Sequence, residues 1–563
     1  MNSDKQDVVP VIPFRIRIGV TGHRDLTETE DLSKRVVSAC RKGVFELFDR
    51  RSRQILQSSP QLPVAFSIVT PLAEGADRLV TKALLGEKNF GDTRIEAILP
   101  LRKEDYVRDF RSEASRQEFE ALLGMARRPI TLKGPSHRGD LFATDSGSDR
   151  RQAYEDVGRY VVDHCDVLIA LWNGKPSGGK GGTAEIVEYA RKRRRPMIVI
   201  STESPYGIAL ERGNMPDAGA LRQIEALNAG PAEQTGRRAY IDHVFRDLFD
   251  NPEGRFVPDA TKQLVRDNLL PLYVSASTIA KRNQAWYRYA GLIVYAFSAA
   301  AVALVALGTL FQRFSHIAFF LEFLLLLTIL VTVWLADRRR SHRKWIENRF
   351  LAERLRSAVF LAVCGVEASP IDVPPYLRTA HGSHDWMVRA FDEAWGRLPK
   401  MSGCREEYCG ECAAFVRKRW IEDQVDFHRR RSADLGTMSR LLERSGMMIF
   451  LVAMAAAVTH LILSLSGHGA HSERLEQVLT FIAIALPAAG AAIGGIRAHR
   501  EYSRVEKRSQ NMEIILTDLW ERFSDVRSGQ RLESLLRETE EIILRETQDW
   551  LMLMRFAELK PAA

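Results

Sequence analysis

The sequence predicts a Rossmann-like α/β domain, a parallel sheet with helices on both faces, followed by an all-α membrane domain of four transmembrane helices in two hairpins. Three observations predict it. Short apolar runs alternate with helical patterns and glycine-bearing turns in the first half, four long apolar stretches lie beyond Ala285, and basic residues flank the outer ends of each pair of stretches.

Phe14–Val20 (FRIRIGV) alternates and then turns apolar, and Thr21-Gly22-His23-Arg24 follows at once, which reads as a first strand entering a turn. Val64–Val69 is a second strand. After it come Pro71-Leu72-Ala73-Glu74-Gly75-Ala76-Asp77-Arg78 and a helix from Ala76 to Leu85. Ile95–Leu99 is a third strand. Asp166–Trp172 (DVLIALW) is a buried strand, followed by the loop 173–182 and a helix from Thr183 to Arg193, and Met197–Ser201 closes the series. Strands alternating with helices give a parallel sheet covered on both faces.

In such sheets ligands sit beyond the carboxyl ends of the strands, where three of these glycine-bearing loops lie. The third runs Asn173-Gly174-Lys175-Pro176-Ser177-Gly178-Gly179-Lys180-Gly181-Gly182-Thr183-Ala184-Glu185. Glycines let backbone N–H groups approach an anion, and the following helix N-terminus adds partial positive charge, so a phosphate is the natural guest. The alternative is a surface loop in which Thr183 caps the helix and Glu185 favours its dipole. No G-x-G-x-x-G follows the first strand and no G-x-x-x-x-G-K-[ST] occurs, so ordinary dinucleotide oxidoreductases and P-loop ATPases lose their main support.

Gly19-Val20-Thr21-Gly22-His23-Arg24, Glu74-Gly75-Ala76-Asp77 and the run from Asp166-Val167-Leu168-Ile169-Ala170 to Gly181-Gly182-Thr183-Ala184-Glu185 resemble the SLOG superfamily, which includes LOG phosphoribohydrolases, DprA-like proteins and TRPM channel N-terminal domains. The resemblance covers residues 14–205. It implies binding of a nucleotide or nucleotide-derived ligand and, in LOG members, cleavage of a nucleoside monophosphate to base and ribose phosphate. LOG enzymes carry P-G-G-x-G-T-x-x-E and an upstream Arg. Here Glu185 falls two residues after Thr183 and Ile186 stands at the third; Arg151 is a loosely aligned candidate for the upstream Arg. One step turns a helical side chain by ~100°. Binding therefore survives the mismatch better than catalysis.

Arg24 could clamp a phosphate and His23 could contact a base or ribose, or both could hold the turn against Asp25 or Asp77. Arg102 and Lys103 have a solvated reading, and Arg191-Lys192-Arg193-Arg194-Arg195 suits a helix C-terminus without a ligand.

Tyr289–Phe311, Ile317–Ala336, Met447–Ser466 and Val478–Ile496 are nearly uncharged, and ~20 residues at ~1.5 Å rise span a hydrocarbon core of ~30 Å. The fourth is interrupted by Pro487, Gly490, Gly494 and Gly495, for which buried helix packing is the alternative. Lys281, Arg282, Arg288, the run Arg338-Arg339-Arg340, Arg343, Lys344, Arg440, Arg444, Arg497 and Arg500 flank the outer ends. The links inside each pair are nearly bare of excess positive charge, so both termini and the central loop are expected in the cytoplasm. Asp337–Leu361 and Arg497–Phe523 read as basic exit helices of a degenerate repeat. Gly490 and Gly494 form G-x-x-x-G, a spacing for close helix contact, and Glu322 is the one acid well inside a span, either a pore-ring candidate or a side chain reaching interfacial water.

This half is similar to SLATT domains, two-helix membrane effectors that accompany SLOG domains and nucleotide-signal synthases in bacterial conflict systems. Trp420-Ile421-Glu422-Asp423-Gln424 and Phe427-His428 resemble a recurring pattern of that group. The organisation expected is a SLOG-like ligand domain over 14–205, a helical extension over 206–285, a first SLATT-like unit over 286–365, a cytoplasmic linker over 366–415 and a second unit over 416–558.

The net charge of +9 could suggest nucleic acid, but much of the excess lies beside the spans, where topology and anionic lipid account for it. Met1–Pro13 shows no secretory signal. Cys40, Cys165 and Cys364 are isolated and suit a reducing compartment; Cys404, Cys409 and Cys412 form C-x4-C-x2-C, half of a zinc spacing that His428 could complete, with free thiols as the alternative.

The expected function is a multi-pass effector of the inner membrane that senses a nucleotide-derived signal and gates or assembles a pore or membrane-disrupting bundle, in antiviral or conflict defence as the resemblance implies. Its partners would be membrane lipid, the signal, further copies of the chain and a nucleotidyltransferase that makes the signal. No cofactor beyond the ligand is implied. The rivals are a membrane-tethered nucleotide hydrolase using Arg151 and Glu185, and a non-conducting anchored scaffold.

Overall fold

The structure, a computed structural model, describes residues 11–26, 30–126, 129–132, 147–176, 182–230, 234–368, 385–465 and 473–555. The chain divides into two units, Met1–Ala229 with Ile371–Glu393, and Gly230–Pro370 with Ala394–Ala563. The elements up to residue 229 are β1 (Phe14–Gly22), α1 (Glu30–Glu46), α2 (Arg50–Ser58), β2 (Val64–Thr70), α3 (Ala76–Leu85), β3 (Thr93–Leu99), α4 (Lys103–Tyr106), α5 (Glu113–Met125), β4 (Ile130–Thr131), α6 (Gly147–His164), β5 (Val167–Trp172), α7 (Thr183–Lys192), β6 (Met197–Ser201), β7 (Ile208–Glu211) and α8 (Ala218–Ala229). Then follow α9 (Gln234–Phe249), α10 (Asp259–Asn268), α11 (Leu270–Leu310), α12 (Ser315–Arg339), α13 (Ser341–Val363), α14 (Asp385–Trp395), α15 (Cys409–Val416), α16 (Glu422–Leu465), α17 (Glu473–Arg500), α18 (Tyr502–Arg522) and α19 (Gly529–Arg555).

The first unit is a seven-stranded sheet in the order β4-β3-β2-β1-β5-β6-β7, parallel except for the antiparallel edge pair β6 and β7. Central β1 buries Phe14, Ile16, Ile18 and Val20, and β5 is buried from Val167 to Leu171, the continuous burial of a sheet covered on both faces. Full burial of each such side chain contributes roughly 1.5–3 kcal/mol. On one face, Val157, Val161 and Val162 of α6, Cys165 just beyond it, and Ile186, Val187 and Ala190 of α7 form a core with Leu168, Ala170 and Met197. A Cβ on Gly19 would lie 2.8 Å from the Cys165 side chain and 2.9 Å from Val161, so a residue without a side chain lets α6 press onto β1. Over β3, Tyr106, Phe110, Phe119 and Leu122 pack against Ile95, Ala97 and Leu99.

The segment expected as a cytoplasmic linker carries α14, whose residues through Glu393 belong to the sheet unit. Its Arg389 donates to Asp166 through Nη1 at 2.8 Å and Nη2 at 2.5 Å, and through Nη1 to the Arg15 carbonyl at 2.9 Å. Asp166 is wholly buried at the entrance to β5 and also accepts from Arg17 N at 2.8 Å. Glu393 pairs with buried Arg15, which donates to Asp92 Oδ2 at 2.6 Å and to the Phe66 carbonyl at 2.6 Å. A helix from the C-terminal half thus closes the amino ends of β1, β2 and β5. Trp386, Met387, Ala390, Phe391, Ala394 and Trp395 recur at helical spacing and are buried, a local signal of α14 that the reading as a linker missed.

The second unit is helical. Four of its helices are long and apolar enough to cross a membrane. The 41 residues of α11 and 44 of α16 extend to roughly 60 Å, about twice a hydrocarbon core, so each has room for a span and a projecting stalk. Ile317, Phe320, Phe323, Leu330 and Trp334 on α12 and Met447, Met448, Phe450 and Leu461 on α16 are exposed. Such apolar faces are a liability in water and at home in lipid, compatible with a membrane protein.

Each hairpin ends in one residue of left-handed backbone, Arg340 between α12 and α13 and Glu501 between α17 and α18, both with φ of 49°. The expected exit helices therefore begin later than their sequence suggested, at Ser341 and Tyr502. Matching joints at matching places strengthen the case for an internal repeat. The left-handed turn costs a non-glycine residue roughly 1–2 kcal/mol at each joint. Close approach between α11 and α17 runs through Gly291 and Gly495: a Cβ there would come within 2.3 Å of the His499 ring and 2.4 Å of the Tyr295 ring. Gly494 faces open space and Gly490 meets only Ile449, at 3.7 Å, so the G-x-x-x-G pair is not the contact surface within this chain. Glu322 is half-buried on α12.

Arg389→Ala should leave Asp166 buried without its cation and cost about 3–5 kcal/mol. Thermal unfolding of the full chain should show a lowered midpoint, and an unchanged midpoint would mean that α14 does not brace the sheet.

Candidate functional site

The strand order reverses beside β1, which pairs with β2 on one side and β5 on the other. A parallel sheet opens a crevice at such a reversal, beyond the carboxyl ends of the two strands. Register fixes what meets there: Ile18 is level with Val167 and Gly22 with Leu171, so His23 emerges beside Asn173.

His23 joins the two loops. Its backbone N–H donates to the Leu171 carbonyl at 3.3 Å, and its Nε2 accepts from Asn173 N at 3.2 Å, which puts the ring proton of a neutral imidazole on Nδ1. Of the two readings of His23, its part in holding the turn is thus visible. The β2 loop is locked in from the other side. Ala76 N donates to the His23 carbonyl at 3.1 Å. Gly75, at φ 79°, would drive a Cβ to 2.3 Å from the Arg24 carbonyl oxygen, and a Cβ on Gly22 would stand 2.4 Å from Ala76 Cβ. Gly19, Gly22 and Gly75 therefore each allow a close approach of the protein to itself.

The open positions belong to the third loop. Gly174, at φ 78°, has no atom of the described residues within 4 Å of its Cβ direction. Gly182 is the N-cap of α7 and brings no side-chain cap; its carbonyl accepts from Glu185 N at 3.0 Å and Ile186 N at 3.2 Å, and the N–H groups of Thr183 and Ala184 lie at the positive end of the helix. Thr183 is its first residue, and half-buried Thr21 stands level with Ala170 in β1. Asn173 accepts from Lys175 N at 3.1 Å and donates to Glu203 at 3.2 Å, and Lys175 Nζ lies 2.8 Å from the same carboxylate. Gly178, Gly179 and Gly181 lie outside the described residues.

Beneath the β1 loop sits a polar cluster. The Arg24 guanidinium lies 4.5 Å over the Tyr154 ring, the Tyr154 hydroxyl donates to Asp109, and Asp109 pairs with Arg150 at 2.6 Å. Burial and the adjoining Asp109 push the Tyr154 hydroxyl up to about 12. Tyr106 is wholly buried with its ring 6.0 Å from that of Tyr154, and its hydroxyl has no hydrogen-bond partner among the described residues. Asp77 accepts from Ala73 N at 3.1 Å. Burial pushes its carboxyl up to about 7, against that hydrogen bond and the charges of Arg24 and Arg78.

Several expected residues face elsewhere. Glu74 accepts from Arg111 N at 3.0 Å and from the Ser115 hydroxyl, tying the β2 loop to α5. Arg151 is exposed; Arg150 and Tyr154, one turn apart on a different face of α6, are the residues that reach the cluster. Glu185 is exposed on α7, and Ile186, three after Thr183, is buried against Gly158. Sequence reasoning missed Tyr106, Asp109 and Tyr154 as site residues, although Tyr106 and Asp109 stand only a few positions after Arg102 and Lys103. His428 is buried on α16, where desolvation and nearby arginines lower its pKa to about 4, and it does not join the cysteines. Among the described residues no group of three or more His, Cys, Asp or Glu is already disposed as a metal-binding set.

The arrangement offers an anion a helix N-terminus, a guanidinium and open glycine backbone. No protein-family model and no curated protein sequence matches this chain.

Asp77 carries a pH signature. Its carboxyl rises from the ordinary 3.8 when unfolded to about 7 when folded, so between these values the folded state holds a proton that the unfolded state has lost. Stability should fall as pH rises from about 4 to about 7 and level off above. Asp77→Asn should flatten that part of the profile in thermal melts, and an unaltered profile would show that Asp77 does not titrate there.

Proposed function

We propose that this chain is a membrane-embedded effector whose sheet domain, facing the cytoplasm, binds a nucleotide-derived signal and whose helices respond by gating or assembling a membrane-permeabilising bundle. The observation that carries the reading is the switch-point crevice, edged by the N-terminus of α7 and by Arg24, on the same chain as four helices long enough to cross a membrane. A phosphate-bearing ligand matches its charge and backbone donors.

The resemblance to SLOG and SLATT proteins points the same way, toward conflict defence in the inner membrane with both termini cytoplasmic. It also suggests a nucleotidyltransferase as the source of the signal, and further copies of the chain to surround a pore. Binding is favoured over hydrolysis because Glu185 is exposed and the position three after Thr183 is a core isoleucine. A ligand can drive the helices only if it binds their two states with different affinity.

The test is dye release from liposomes holding the full chain, probed with AMP, ADP-ribose and a cyclic dinucleotide. One of these should raise leakage, and Arg24→Ala should demand at least about tenfold more of it, the loss expected for one charge-assisted hydrogen bond. Free base released without leakage would favour the hydrolase, binding without either would favour the scaffold, and silence across the panel would overturn the proposal.

A further inference from the structure

Four of the six cysteines meet in the helical unit, although two chain segments supply them. Cys409 Sγ lies 3.7 Å from Cys404 Sγ, Cys404 Sγ lies 3.6 Å from Cys412 Sγ, and Cys364 is the neighbour that most strongly pushes the Cys412 thiol up. All six cysteines are free thiols. Cys364 is the C-cap of α13, whereas Cys409 and Cys412 occupy the first turn of α15, three residues apart on one face. Cys404 comes from the connection just before.

The backbone is shaped to hold these sulfurs together. Gly403 N donates to the Gly365 carbonyl at 3.0 Å, which ties the residue after Cys364 to the residue before Cys404. Both glycines have left-handed φ, 69° and 88°, and a Cβ on Gly365 would meet the Gly403 carbonyl oxygen at 2.9 Å. Gly529 at the start of α19 closes the third side: its N–H reaches both Glu406 carboxylate oxygens at 3.1 Å, and a Cβ on it would meet Cys409 Sγ at 3.6 Å.

Ordinary packing is a poor explanation. Buried cysteines behave as small apolar groups, yet Cys404 is partly exposed, and Cys404 and Cys409 both turn their thiols to the Arg405 carbonyl, at 3.5 and 3.3 Å. A disulfide needs sulfurs about 2.05 Å apart. The separations found instead match the edge of a tetrahedron with bonds of about 2.3 Å to a central zinc, roughly 3.8 Å.

We propose that Cys364, Cys404, Cys409 and Cys412 form a structural zinc site. In the protonated state the thiols make a hydrogen-bonded chain, and as placed no three of them are disposed to hold a metal ion. Zinc binding replaces four S–H bonds with four Zn–S bonds and releases four protons to solvent, with no change of oxidation state. Closing the chain about the ion asks for side-chain rotation and no new backbone path, since the Gly403 to Gly365 hydrogen bond already joins the two segments. The start of α15 faces the resulting negative charge with the positive end of its dipole. Cys364 is the fourth ligand that the C-x4-C-x2-C spacing lacked, and His428 has no part in it.

The full chain purified in detergent without chelator should retain about one zinc per molecule by elemental analysis. Cys409→Ser with Cys412→Ser should abolish it, Cys364→Ser should weaken retention against a chelator, and Cys40→Ala should leave it unchanged. Should the double variant fail to fold, cobalt exchanged into the unaltered chain still decides: a sulfur-to-cobalt charge-transfer band with tetrahedral ligand-field bands supports the site. Zinc-free protein with six titratable thiols, a disulfide within the cluster, or a cobalt spectrum without the thiolate band would overturn it.

Discussion

The buried pair of Asp166 and Arg389 sets the frame of the sheet unit. Asp166 stands at the entrance to β5, accepts the Arg17 amide of β1, and is neutralised by a guanidinium from a helix more than two hundred residues later in the chain. A carboxylate so deeply desolvated is costly unless its partners are in place, so the pair penalises any slip of β5 against β1. Register fixed at the amino end is register fixed at the carboxyl end, where Gly22 comes level with Leu171 and His23 meets Asn173. The crevice inherits its geometry from an ion pair at the far end of the same strands.

Within the crevice, rigidity and openness are divided between loops. The β1 and β2 loops are interlocked by backbone contacts that tolerate only glycine at positions 22 and 75, and Arg24 rests on a cluster that includes two tyrosines and a half-titrating aspartate. The β5 loop is held at its root by Asn173, Lys175 and Glu203, while Gly174 and the start of α7 remain accessible to a guest. A firm floor under an adaptable rim is what anion recognition asks of such a site.

The helical unit repeats one plan twice. Each hairpin ends in a single left-handed residue, Arg340 or Glu501, which turns an apolar helix into a basic one at the expected membrane boundary. The stalk of α13 then packs through the buried pair of Arg354 with Glu540 of α19 and through Phe360 stacked at 4.9 Å on Trp420. The thiol cluster lies where α13 ends and where α15 and α19 begin, so one site braces three helices at their ends.

By itself the sequence determined the alternation of strands and helices, the four apolar spans and the basic flanks, because periodicity and uninterrupted apolar length are local properties that burial and lipid demand wherever the chain runs. It also carried the glycine motifs, but not their purpose. Whether a glycine faces a ligand or a neighbouring carbonyl depends on what packs opposite, which is why Gly75 proved to be an internal fit and Gly174 an open one. Likewise, Cys364 looked isolated, Arg389 looked like part of a linker and Tyr154 carried no reading. Only tertiary structure decided their roles, since each works through a partner distant in the sequence, and pairwise electrostatics and sulfur geometry act through space rather than along the chain.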